Sequence, residues 1–303
     1  MKMTILERDD DITHVVLTGR LDTTGVEEIS ESFSEATATR KRPVIVDMSE
    51  IEFLASRGIG LLFANSKRLK EIGHKLVLLN PIGMVDSTLR SCSADKLMPI
   101  VYGLDEAIQI LQGVPGQLGI AQPPVKTTKD ESRPPRSEPV STAPTATEGE
   151  LTLSIKNEIS ELQGLNTEVT QFLNVHDVPY RAAYAVSLAI DELVVNVMRY
   201  AYVDEDTHMI DIELVIEGDQ VILRIVDDGR PFDPRRGPSL DLHAEDRKVG
   251  GLGLLLVLDM VDVLKYRRAE EKNWVEVRIH LIAEDKNIDL SEAGHASPSV
   301  SEE

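Results

Sequence analysis

The sequence predicts two folded units, a layered α/β domain followed by an α+β domain built on an antiparallel sheet, joined by a long linker. Three observations carry this. Short apolar runs alternate with helical patterns over residues 1–113, as in a sheet covered by helices. Period-two alternation, a hairpin signal and helical segments mark residues 151–283, the pattern of an antiparallel sheet with helices on one face. Between them, residues 114–150 hold seven of the 15 prolines among Ser, Thr and charged residues, with almost no apolar periodicity. Such a stretch cannot bury enough surface to offset its ordering entropy and reads as a flexible linker. The acidic, Ser-rich residues 284–303 are expected to fray.

In the first unit, residues 14–17 (HVVL), 44–47 (VIVD) and 75–79 (KLVLL) are the strand candidates, and 24–39 and 58–72 the helical patterns. Thr23 or Thr24 is the expected cap of the first helix, with Glu27 and Glu28 in its first turn. The second unit opens with an alternating strand at 151–155 and a helical region at 156–175. Pro179 starts a longer helix to about 202, a position where its missing N–H costs nothing. Residues 210–217 and 220–227 form two alternating runs around Gly218-Asp219, a hairpin. A polar loop follows at 229–249, then a glycine-led apolar helix at 250–260 and strands at 263–267 and 274–281.

Composition narrows the function. The 303 residues carry 32 Lys and Arg against 52 Asp and Glu, a net charge of −20. That balance argues against direct nucleic-acid binding, which needs clustered cations. One cysteine, Cys92, excludes an internal disulfide framework and a Cys-rich zinc site. The charged N-terminus is unlike a signal peptide, and no apolar run approaches the roughly 18 residues of a membrane span. The expectation is a cytoplasmic protein with no membrane segment.

Three clusters in the second unit carry chemistry. In the first, Glu192 and Asn196 are four apart and share one helix face, beside an apolar stripe of Val186, Ile190, Leu193 and Val197. Alone, this pair reads as solvated surface. In the second, IVDDGRPFD at 225–233, Asp227 ends a strand and Gly229 follows. A carboxylate there accepts a hydrogen bond from an exocyclic amine, although Asp-Gly turns are common. In the third, VGGLGL at 249–254, glycines precede a helix and expose N–H groups that favour phosphate. The six-position dinucleotide fingerprint and its βαβ setting are absent, so a Rossmann site is excluded.

The order of these clusters resembles the GHKL ATP-binding fold and, more closely, bacterial anti-sigma-factor serine kinases. ELVVNVMRYAY at 192–202 matches their E-x-x-x-N-x-x-x-x-x-Y helix. Over about residues 150–283 the resemblance implies a GHKL ATP-binding α/β sandwich using ATP and Mg²⁺. It implies Glu192 as general base, Asn196 as the Mg²⁺ ligand bridging the phosphates, and Asp227 as the adenine contact, with Gly229 giving the ring room. Gly251 and Gly253 would let the lid approach the phosphates. Tyr200 stands where these kinases often have His, and Leu162 near an Arg used in partner contacts. Arg235, Arg236, Arg247 and Lys248 fall in the lid loop, either as γ-phosphate contacts or as counter-charges to Asp241, Glu245 and Asp246.

In the first unit, VIVDMSEIEFLASRGIG at 44–60, with LTGRLDTTGVEEI at 17–29, resembles STAS domains of the anti-sigma-factor antagonist type. The resemblance spans about residues 1–112 and implies Ser56 as the phosphoacceptor. Ala55 replaces the family's Asp and Arg57 its second Ser. On periodicity alone Ser56 reads as a helix cap. With a kinase-like domain in the same chain, phosphorylation is the favoured reading.

Three functions are weighed. The first is a partner-switching regulator that phosphorylates a STAS serine, its own Ser56 or that of another protein. The second is a non-catalytic switch in which ATP biases binding. The third, ranked last, is a histidine kinase fragment or other GHKL ATPase, disfavoured because only the Pro-rich linker precedes Leu151. The implied partners are STAS-domain, anti-sigma or sigma-type regulators, with a possible homodimer. A coil of the linker's length has a root-mean-square reach on the order of 30–35 Å, so reach does not forbid transfer within one chain.

Overall fold

The computed structural model describes residues 1–6, 11–113, 149–236 and 251–281. Most of the expected linker, the greater part of the lid loop with Arg247 and Lys248, and the acidic tail lie outside the described residues, as does the side chain of Arg236.

The first unit runs β1 (Lys2–Leu6), β2 (Thr13–Leu21), α1 (Thr23–Ala36), β3 (Val44–Leu54), α2 (Ser56–Glu71), β4 (Leu76–Leu79), α3 (Gly83–Ser91), β5 (Ile100–Val101) and α4 (Leu104–Gln112). Its sheet has the order β1-β2-β3-β4-β5, antiparallel only at the β1 edge. One face packs on α4 through Ile45, Val77, Leu79 and Ala107. The other packs on the remaining helices through Val15, Leu17, Val46 and Leu78. The expected strands are present. β2 and β3 are longer, because they continue through polar residues that break the apolar runs, and β4 starts one residue later than expected, at Leu76. Weak patterns at β1, β5, α3 and α4 gave no sequence signal.

The cap of α1 differs from expectation. Asp22 accepts from the Gly25 amide at 2.9 Å, and no acidic residue lies in the first turn. The helix begins at Thr23, which puts Glu27 and Glu28 beyond that turn. Asp22 takes the cap because its short carboxylate reaches the third amide of the helix, while the Thr23 hydroxyl is engaged elsewhere. Helix α2 likewise begins earlier than the sequence suggests. Ala55 holds its N-cap position and Ser56 is its first residue, so Ser56 is not a cap.

The second unit runs β6 (Gly149–Lys156), α5 (Glu161–Val175), α6 (Tyr180–Tyr200), β7 (Met209–Glu217), β8 (Gln220–Asp227), α7 (Leu252–Met260), β9 (Val263–Ala269) and β10 (Lys272–His280). The sheet order is β6-β7-β8-β10-β9, antiparallel throughout. Gly218-Asp219 makes the expected two-residue hairpin, with Gly218 at φ +60°. The β9–β10 hairpin turns on Glu270 and Glu271, both at positive φ, residues that carry no turn signal. Residues 156–160 are not helical as expected. Lys156 ends β6, and the Asn157 amide donates to the His208 carbonyl at 3.0 Å, tying the segment to the sheet edge.

Helix α6 is buried without interruption from Tyr184 to Val195. An amphipathic helix on a sheet buries one stripe; one buried all round is covered on both sides. Here the sheet of its own unit covers one side and the first unit the other. A single apolar cluster consequently runs through both units, from Phe53, Leu54 and Ile59 to Leu188, Leu193 and Leu256.

Candidate active site at the interdomain seam

The end of β3 and the start of α2 lie on α6. The Tyr184 hydroxyl accepts from the Leu54 amide at 3.2 Å and donates to the Leu54 carbonyl at 3.1 Å. Its ring stands 4.8 Å from that of Phe53. One turn earlier, the Tyr180 hydroxyl donates to the Glu52 carbonyl at 3.1 Å. Two turns later, Asp191 accepts from the Thr23 hydroxyl at 3.1 Å. Residues 180, 184 and 191 thus form one stripe along α6 that grips the first unit. Ser91 adds a 2.7 Å bond to Asp259 at the end of α7.

This grip delivers Ser56 to Glu192. The Ser56 hydroxyl donates to Glu192 Oε2 at 2.7 Å, and its backbone N–H donates to Oε1 at 2.8 Å. Both residues are buried, at 6 % and 7 % exposure. The carboxylate therefore meets the positive end of α2. It also lies against the start of α7, since a Cβ on Gly253 would collide with Glu192 Oε2 and reach 3.1 Å from Ser56 Oγ. The group that Gly253 admits closely in this fold is the carboxylate. Gly251, at φ +104°, starts α7 in a left-handed conformation suited to glycine. Burial pushes the Glu192 carboxyl up, opposed by the two bonds from Ser56 and by the Arg57 charge. Burial, with Glu192 and Asp22 nearby, pushes Asp191 up to about 7, against its bonds from Thr23.

Beyond Glu192 along α6 lies a pocket of about 310 Å³ lined by Leu193, Asn196, Val197, Tyr200, Ile225 and Asp227, among others. Asp227 is 3 % exposed. Its Oδ1 accepts from the Gly229 amide at 2.9 Å and the Asn273 carboxamide at 2.7 Å. Both of these bonds fall on Oδ1, and the side chain lines the pocket. Apolar walls with one such acceptor fit a purine ring bearing an exocyclic amine. Burial pushes the Asp227 carboxyl up, offset in part by those two donors. Gly229 serves packing: a Cβ there would stand 2.5 Å from that of Ala201 and 3.0 Å from Asp227 Oδ1.

Asn196 and Asp227 thus share one pocket wholly within the second unit, while Glu192, one turn before Asn196 on α6, meets Gly253 and the Ser56 of the other unit. Leu162 is fully buried, so that position offers nothing to a partner. Arg235 is paired with Asp233 at 2.8 Å, a counter-charge other than the expected Asp241, Glu245 and Asp246, which lie outside the described residues. Tyr180, Tyr184, Asp191 and Asn273 are residues the sequence reading does not single out, and Thr23, read there as a helix cap, instead binds Asp191. The 180/184/191 spacing on a helix with a solvated-looking face was the available signal for three of them; Asn273 had none. Among the described residues no cluster of three His, Cys, Asp or Glu side chains forms a metal cage, and no helix is long and apolar enough to cross a membrane. Asn196 lines the pocket, and a single carboxamide fits Mg²⁺, which takes few protein ligands and keeps waters.

The fold defines a serine-presenting α/β domain seated on an antiparallel α+β domain with a nucleotide-sized pocket. Residues 4–107 match the STAS domain and residues 155–279 the histidine kinase-like ATPase domain, so the chain is a fusion of these two families. Serine-protein kinase RsbW of Listeria monocytogenes is 32% identical over 92 residues, 28% of this chain and 59% of that protein. Serine/threonine-protein kinase BtrW of Bordetella bronchiseptica is 28% identical over 102 residues, 33% of this chain and 72% of that protein. The chain thus spans just over half the length of the RsbW relatives it matches. A solved anti-sigma factor antagonist from Mycobacterium paratuberculosis is 24% identical, covering 37% of this chain and 93% of that one, with a TM-score of 0.32.

Proposed function

We propose that the chain is an ATP-dependent protein-serine kinase of a partner-switching signalling system and that its acceptor is its own Ser56. The observation that carries this reading is the 2.7 Å bond from Ser56 Oγ to Glu192 Oε2 inside a buried seam. A nucleophile in hydrogen-bond contact with a carboxylate is the arrangement a general base needs. Kinase names among the RsbW and BtrW relatives support the same class.

Asp227 would hold the adenine amine and Asn196 would hold Mg²⁺. When bound, the metal would supply positive charge that neutralises the phosphates. Ser56 Oγ attacks the γ-phosphorus as Glu192 takes its proton. The new Oγ–P bond forms while the bond to the β,γ-bridging oxygen breaks, and ADP leaves with that electron pair. The buried seam excludes water as competing nucleophile. The proposed partners are STAS-domain, anti-sigma or sigma-type proteins that compete for the faces buried in the docked chain.

Phosphosite mapping after incubation with Mg·ATP tests this. The expected product is one acid-stable phosphoserine at Ser56, formed at a first-order rate independent of protein concentration and absent in Ser56→Ala. No phosphate at Ser56 overturns the reading. Nucleotide-dependent docking that is unchanged in Glu192→Gln converts it to a non-catalytic switch.

A further inference from the structure

We infer that Arg57 is a phosphate-directed cation carried by the acceptor domain itself, contacting the phosphoryl group in transit to Ser56. This rests on the kinase reading above and names a further working residue of that site.

Arg57 follows Ser56 in the first turn of α2, so a phosphoryl group within bonding range of Ser56 Oγ is within reach of its side chain. Its charge acts on Glu192, which holds Ser56, and on Tyr200, which lines the nucleotide-sized pocket. Arg57 thus adjoins the acceptor in sequence, and its charge is felt both at Glu192 and at the pocket wall. Its Nε is buried and has no hydrogen-bond partner among the described residues. A buried donor left unpaired is costly unless a ligand completes it.

The nearby carboxylates are already engaged. Glu27 pairs with Arg199 at 3.5 Å. Asp191 is bound by Thr23 and has its pKa pushed to about 7, which removes part of its charge near neutrality. Burial and the Arg199 charge both disfavour the Arg57 cation, against Glu27, Asp191 and Tyr200. Two cations, Arg57 and Arg199, thus repel each other in a chain of net charge −20. An incoming anion relieves their repulsion and satisfies the open donor.

In the transfer step the Oγ–P bond forms, the β,γ-bridging P–O bond breaks, ADP carries off the electron pair and Glu192 receives the serine proton. Arg57 donates N–H groups to the non-bridging oxygens while their charge is spread, the part played by an arginine finger. The finger comes from the substrate domain, so only a docked acceptor completes the site.

The test uses the full chain. Arg57→Ala is expected to slow Ser56 phosphorylation at saturating Mg·ATP about 10³-fold, at the lower end of what such arginines contribute, while Mg·ADP affinity stays within about twofold. Arg57→Lys is expected to recover part of the rate. Calorimetry with Mg·ADP and aluminium fluoride supplies a readout apart from turnover: the wild type should hold the planar phosphoryl mimic at least about 100-fold more tightly than Mg·ADP, and Arg57→Ala should lose that gain. Transfer within about threefold of wild type, or an undiminished mimic complex, overturns the inference and leaves the kinase reading standing. Slowed transfer accompanied by lost hydrogen-exchange protection at the Ser56 amide assigns Arg57 to docking and also overturns it. A wild type that never phosphorylates Ser56 removes both.

Discussion

The Tyr184 hydroxyl holds both backbone groups of Leu54, a residue 130 positions away and two before Ser56. It reads the main chain, so it fixes the height of the β3–α2 corner whatever side chains stand there. Thr88 completes the hydroxyl's bonding at 3.1 Å.

Tyr184→Phe keeps the ring contact with Phe53 and leaves the Leu54 amide without its acceptor. Docking should weaken by about 1–3 kcal/mol. Small-angle scattering should report a larger radius of gyration, and the first-order rate of Ser56 phosphorylation should fall with the docked fraction. An unchanged radius and rate would show that the corner is held by packing alone.

Glu192→Gln keeps an acceptor for the Ser56 amide and removes the base. Ser56 phosphorylation should drop by about 10²–10⁴-fold, the usual contribution of a positioned base, with Mg·ATP affinity nearly unchanged. Quench-flow and calorimetry on the same variant separate the two quantities.

Gly253→Ala puts a methyl group into Glu192 Oε2 and against Ser56 Oγ. The carboxylate must shift, so transfer should fall at least about tenfold, since small displacements of reacting groups are costly. Hydrogen exchange at the Ser56 amide should rise together with that loss.

Asp227→Asn replaces the buried acceptor of the pocket with a group that can present N–H instead. Mg·ATP affinity should fall at least about tenfold, or about 1.4 kcal/mol, by calorimetry. Equal affinity would place the adenine elsewhere.

Docking should depend on pH through Asp191. Its carboxyl is raised to about 7 when docked, against about 3.9 for an exposed Asp. The docked state therefore binds the proton more tightly. The contribution to docking is full below about pH 4, is lost as pH rises towards about 7, and is flat above that. Glu192, raised in the same direction, adds to the trend. Asp191→Asn should remove most of the slope while keeping an acceptor for Thr23, as read by scattering across that range.

Sequence alone determined the two fold classes and most elements with strong periodicity, such as α6 and the β7–β8 hairpin. It also placed Glu192, Asn196 and Asp227 in one unit, because helical spacing and the strand-end Asp-x-Gly are local patterns. It gave the wrong cap for α1, where Asp22 is the stronger capping residue and Thr23 is drawn off by Asp191, and it began α2 two residues late. Glu192 looked like solvated surface because its burial comes from a domain more than a hundred residues away. Only the tertiary structure decided that Ser56 meets Glu192, that Gly253 makes room for that carboxylate, and that Tyr184 sets the corner. These are contacts between units whose packing is fixed by shape and by the joint burial of α6. No local pattern in the chain encodes which distant face will cover a helix.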